Sequence, residues 1–161
     1  MIKNQNELNA FLKAKLLIVI DSVAKILTDK LIELIDEEVY SYNNTFYERT
    51  YQFKDSWEYT KPIIRGNIIE SQIFQNYAIM TYVPEKWQHG SSYSGQLNEN
   101  GLSEIINDGK IGNMANFPQI GSRPFWDKFE EYVNANIGRI FIEECNKNGL
   151  VTTGSVSTIF K

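Results

Sequence analysis

The chain has 161 residues, of which 42% are hydrophobic and 22% charged, with a formal net charge of −4. That length suits one domain around one core, and the composition is that of a globular protein rather than a disordered one. Lys and Arg are scattered with no basic run, which argues against a surface built to grip phosphate.

Residues 5–40 read as one long amphipathic helix. Leu8, Leu12, Leu16, Val19, Val23, Ile26, Leu27, Leu31, Leu34 and Ile35 recur at spacings of three and four and form one stripe. Lys13, Asp21, Lys25, Asp29 and Glu33 lie opposite. Asn4, followed three residues later by Glu7, has the spacing of a cap for the free amides of a helix start. Such a helix is not stable alone in water, so the stripe must be buried on something.

Ser41-Tyr-Asn-Asn44 breaks the helical period, and residues 45–83 read as antiparallel strands. Trp57–Ile64 and Asn67–Gln75 are rich in β-branched and aromatic residues, and Arg65-Gly66-Asn67 between them predicts a hairpin. Tyr77–Val83 is expected to be a third strand after a turn at Gln75-Asn76. Residues 84–122 carry Pro84, Pro118 and six glycines, with one short helix expected at Leu102–Asn107, closed by Asp108-Gly109. A long irregular stretch in a small domain is usually functional or ordered by a partner, so it is the candidate assembly surface.

The last helix is expected over 123–147. Ser122 is its expected cap, Pro124 is tolerated in its first turn, and Phe125, Phe129, Val133, Ile137, Ile140, Phe141 and Cys145 form its apolar face. Asn148-Gly149 supplies the stop. The residues beyond, 148–161, read either as a frayed end or as an arm that adds a strand to a neighbour. The fold class is therefore α+β: a long N-terminal and a C-terminal helix packed on a small antiparallel sheet, within a single domain 1–161.

The residue types leave little room for catalysis. Cys145 is the only cysteine, so no disulfide can form within the chain, and its place on the apolar face of a helix points to an inert thiol. His89 is the only histidine, which rules out two-histidine catalysis and the usual zinc ligand sets. Adjacent acids at Glu37-Glu38, Glu130-Glu131 and Glu143-Glu144 point about 100° apart on a helix and read as solvated faces. Asp108-Gly-Lys110 has the acid–x–Lys pattern of metal-dependent nucleases but also the composition of a turn. No glycine spacing matches a phosphate-cradling loop. The start, Met1-Ile-Lys-Asn-Gln-Asn6, is polar, and the apolar run Leu16–Ile20 is too short to span a bilayer, so no membrane association is expected. The aromatic residues Trp87, Tyr93, Phe117 and Trp126 either fill the core beneath the irregular segment or anchor a neighbouring subunit. With His89 and Arg123 they form the candidate subunit interface; no catalytic, cofactor or metal residues are expected.

Three stretches carry a resemblance. They are Tyr47-Glu-Arg-Thr-Tyr-Gln-Phe-Lys-Asp-Ser56, Tyr77-Ala-Ile-Met-Thr-Tyr-Val-Pro-Glu-Lys-Trp-Gln-His-Gly90 and Arg123-Pro-Phe-Trp126. In this order after a long helix, the chain resembles the phage tail-component family named after the small head–tail joining protein of a lambdoid coliphage. That family has a Thr-Gly-x-Leu-x-x-Ser element, a Tyr-Ala-x-x-Val-Glu-x-Gly-Thr element and an Arg-Pro-Phe element. Here Tyr51 stands in place of the glycine of the first, and Pro84-Glu85 with an inserted Lys-Trp-Gln-His departs from the second.

The resemblance implies a non-enzymatic α+β virion protein of a tailed double-stranded DNA phage: a ring-forming head–tail connector, neck or tail-completion subunit. Its implied partners are sister copies and other neck, portal or tail proteins, with DNA at most passing through the channel. It implies a place in the virion, after assembly in the host cytoplasm. The alternatives are a small carboxylate- and metal-dependent nuclease, resting on Asp108 and Lys110, and a non-viral adaptor domain of the same fold.

Overall fold

Helix α1 (Gln5–Ile35) starts where its cap residues stand. Asn4 Oδ1 accepts the Glu7 amide at 2.9 Å, and Asn4 Nδ2 donates to Glu7 Oε1 at 3.2 Å, so the first turn is closed by local side chains. The computed structural model describes residues 4–41, 51–79, 101–108 and 122–151. The architecture is α+β, with two long helices, two short ones and four three-residue strands among the described residues.

The stripe on α1 is buried over only part of its length. Val19, Val23, Leu27, Leu31, Leu34 and Ile35 are in the core. Leu8, Leu12, Leu16 and Ile26 are only half-buried, and Phe11 and Ile18 are exposed. The expectation of one continuous buried stripe is corrected: Leu12, Leu16 and Ile20 border an open groove rather than a packed seam. The helix also does not stay α to residue 40. Its last turn, Asp36–Tyr40, is π-helical, a widening that buries Val39.

The two expected strands are each broken in two. They form β1 (Trp57–Tyr59), β2 (Ile63–Arg65), β3 (Ile68–Glu70) and β4 (Ile73–Gln75), with β1 beside β4 and β2 beside β3. The hairpin turn falls at Gly66-Asn67, where Gly66 supplies the required positive φ of 63°. Its register is Ile63 opposite Glu70, Ile64 opposite Ile69 and Arg65 opposite Ile68. Lower down, Thr60 N donates to the Gln72 carbonyl at 2.8 Å, and Asn76 N to that of Ser56. From the Thr60–Gln72 pair to the Ile63–Glu70 pair, one strand advances three residues and the other two.

Lys61 and Pro62 therefore face Ser71 alone, which is a β-bulge at the proline, where the missing N–H costs no ladder bond. The Thr60 and Ser71 hydroxyls hold this break: Ser71 Oγ donates to the Thr60 carbonyl at 2.6 Å, and Thr60 Oγ1 accepts the Gln72 amide at 2.9 Å.

The third strand expected at Tyr77–Val83 is corrected over its described part. Tyr77–Ile79 is a 3₁₀ turn, and residues 80–83 lie outside the described residues. Asn76 causes the turn, its side chain accepting the Ala78 amide at 3.2 Å and its carbonyl accepting that of Ile79.

Helix α3 (Gly101–Asp108) is close to its expected span, and α4 covers Phe125–Lys147. Phe125, Phe129, Val133, Ile137, Ile140 and Cys145 are buried on α4, as its spacing predicted, with Phe141 half-buried. The helix ends as Asn148-Gly149 predicts. Gly149 has φ 76°, its amide reaches the Asn146 carbonyl, and the Leu150 amide reaches that of Cys145 at 2.8 Å, with Leu150 folded in as an apolar plug.

Two compact units emerge. The first holds 1–30, 58–74 and 129–161; the second holds 31–57 and 75–128. Among the described residues no helix is long and apolar enough to cross a membrane.

Candidate assembly surface

In the second unit, helix α2 (Gln52–Asp55) begins with an unusual residue. Tyr51 has φ 57° and ψ 3°, a left-handed conformation that costs a non-glycine residue about 1–2 kcal/mol. Ring contacts hold it there. The Tyr40 ring lies 4.8 Å from that of Tyr51, and the Lys54 ammonium sits over the Tyr51 ring at 5.2 Å while pairing with Asp36. Two residues on, Phe53 is buried; Ser56 is fully buried and donates to the Phe53 carbonyl at 2.8 Å. Tyr51, Phe53 and Ser56 thus have distinct physical roles: a left-handed turn, a core plug and a buried hydroxyl.

Ser56 opens a chain of side-chain bonds. Gln75 Nε2 donates to Ser56 Oγ at 3.1 Å, and Ser103 Oγ donates to Gln75 Oε1 at 2.6 Å, tying α3 to the base of β4. At the other end of α3, Asn107 is 8% exposed and makes bonds in several directions. Its Oδ1 accepts the Trp126 amide at 3.0 Å, and its Nδ2 reaches Asp127 at 3.1 Å and Asp108 at 3.0 Å. Its carbonyl accepts both Ser122 Oγ at 2.6 Å and the Arg123 amide. Asn107, not Ser122, therefore caps α4: the Ser122 hydroxyl points at Asn107 and is not free for the helix start. No local signal marks this, because the cap comes from nineteen residues away.

Arg123 and Trp126 turn into this unit. Arg123 Nη1 donates to the Val39 carbonyl of the π-turn at 3.2 Å. Trp126 stacks on Trp57 with centroids 5.6 Å apart and planes 24° from parallel. Phe125, 0% exposed, meets the edges of Phe53 and Trp57 at 5.5 and 6.2 Å. Trp57 is buried, and its Nε1 has no hydrogen-bond partner among the described residues, the kind of donor that costs about 1–3 kcal/mol if left unmade. Arg123 and Trp126 are thus brought together; Trp87, His89, Tyr93 and Phe117 lie outside the described residues.

The first unit offers a different kind of surface. Ile63, Ile64 and Ile68 on the hairpin are all exposed, Ile68 by 63%. A groove of about 560 Å³ runs between α1, the hairpin and α4, with Leu12, Leu16, Ile20, Ile64, Ile69 and Phe141 along its apolar side and Asn9, Lys13 and Asn67 at its edge. Lys61, paired with Asp21 at 2.9 Å, has its ammonium pKa raised above the ordinary value, chiefly by that hydrogen bond.

Among the described residues no group of three or more His, Cys, Asp or Glu is placed to hold a metal ion. Asp108 is exposed and bonded to the Asn107 amide; Lys110 lies outside the described residues.

The architecture and its clamped helix junction define an α+β scaffold in which the side chains traced above hold backbone in place. A family comparison extends that description. The YomN family model matches residues 4–148, and the chain belongs to the YomN family. YomN is a Bacillus phage-region protein, and this chain is accordingly phage-associated. No curated protein and no solved structure matches the chain.

Proposed function

We propose that this chain is a structural virion protein of a tailed double-stranded DNA phage, a ring-forming head–tail connector, neck or tail-completion subunit without enzymatic activity. The observation that carries the reading is Tyr51. It occupies the glycine position of the head–tail joining element and adopts a left-handed conformation, while Phe53 and Ser56 supply the buried apolar and hydroxyl positions at the same spacing. Arg123-Pro-Phe adds support, since its arginine ties to the π-turn and its phenylalanine sits at the centre of the aromatic node. Identical copies would pack head to tail around a channel, each using two unlike surfaces.

The decisive experiment is deletion of the gene from the phage, followed by electron microscopy and composition analysis of purified particles. The expected result is filled heads and tails that fail to join or finish, with the protein present in wild-type virions. Normal infectious particles lacking the protein would overturn the reading.

A further inference from the structure

We propose that the β2–β3 hairpin of one copy receives residues 152–161 of a neighbouring copy as an added strand along β3. This rests on the ring-subunit reading and names the two unlike surfaces that such a ring needs.

The receiving side is on the hairpin. Each of its strands has one neighbour, so among the described residues each has one edge without a sheet partner. An isolated two-stranded hairpin is marginal in water, and exposed aliphatic residues on an open edge invite another strand. The two edges are not equivalent. Pro62 and the bulge opposite Ser71 lead into β2, and a proline and a bulge are ordinary devices for blocking edge pairing. Ile68–Glu70 has no such guard, which leaves β3 as the open edge. Ile69 and its cross-strand partner Ile64 border the groove above Leu12, Leu16 and Phe141, so alternate residues of an added strand gain an apolar floor.

The donor follows from where the described chain leaves α4. Leu150 is tucked in by the turn at Gly149, and the next residue, Val151, is 93% exposed. Residues 152–161 read Thr-Thr-Gly-Ser-Val-Ser-Thr-Ile-Phe-Lys, with no acid and with β-branched or aromatic residues at Val156, Thr158, Ile159 and Phe160. Fully extended, ten residues reach about 33 Å, several times the spacing between neighbouring strands. Main-chain pairing supplies the bonds, and alternate side chains select the partner.

The buried Cys145 is the chain's only thiol, which gives a clean background for cross-linking. Full-length protein carrying Ile68→Cys combined in turn with Val156→Cys, Thr158→Cys or Phe160→Cys would be oxidised both purified and in phage-producing cells. The expected result is a ladder of linked copies for at least one pair. Bridges only within single chains, or none in either setting, would overturn the proposal. A chain truncated after Val151 should keep its melting temperature and lose self-association; unchanged self-association would also overturn it. A missing ladder in a protein still found in virions sinks this inference alone. A ladder in a protein absent from virions leaves it standing and sinks the ring-subunit reading instead.

Discussion

The two ends of the β-ribbon obey opposite rules. At its base, Ser56, Trp57 and Gln75 are buried, and the Ser56 hydroxyl and Gln75 amide take part in a continuous bonded chain to Ser103. At its tip, Ile63, Ile64 and Ile68 lie in solvent around Gly66. The base spends polar side chains to fix backbone, while the tip leaves apolar side chains uncovered. The lesson is that aliphatic composition marks a strand without marking a core. Here the polar residues mark the bonded part, and the isoleucines mark the part left uncovered.

That contrast can be broken most severely from the base. Phe125→Ala empties the centre of the aromatic node and is expected to cost about 3–5 kcal/mol, measured by urea unfolding. Asn107→Ala should follow at about 2 kcal/mol, because it removes the cap on α4 and leaves the Ser56–Gln75–Ser103 chain intact. Hydrogen exchange should locate that loss in the first turn of α4. Tyr51 sharpens the comparison further. Tyr51→Val forces a β-branched residue into the left-handed region and should destabilise by about 1–2 kcal/mol. Tyr51→Gly relieves the backbone but forfeits the Tyr40 and Lys54 contacts, and should come out within about 1 kcal/mol of the parent protein. At the tip, Ile68→Ser should change stability by no more than about 0.5 kcal/mol. A large loss there would show that the hairpin is core after all.

Much of this fold was legible because its signals are local. Asn4 and Glu7 meet within one turn, Gly149 stops α4 in the turn that it terminates, and the period from Phe125 to Cys145 is the buried face itself. The Gly66 turn was legible for the same reason. The failures are nonlocal or concern exposure. Asn107 reads as the last residue of a short helix, and only the folded chain brings it to the Trp126 amide in place of Ser122. Tyr77–Val83 has strand composition, yet Asn76 bends its start into a 3₁₀ turn by a side-chain bond that outcompetes the ladder. Leu8, Leu12 and Leu16 continue a helical stripe perfectly well, but periodicity cannot say whether anything covers it. Of the candidate interface, Arg123 and Trp126 make contacts within one unit and stay half-buried, and the other four residues lie outside the described residues.

The closure at Asn107 has a practical consequence. With the Ser122 hydroxyl and the Arg123 amide both bonded to the Asn107 carbonyl, the end of α3 and the start of α4 are fixed to one another. Lengthening a span whose ends are already fixed is cheap, about 0.6 kcal/mol for each doubling. An insertion between Asp108 and Ser122 is therefore expected to leave α3 and α4 seated on each other, with the melting temperature of the parent chain.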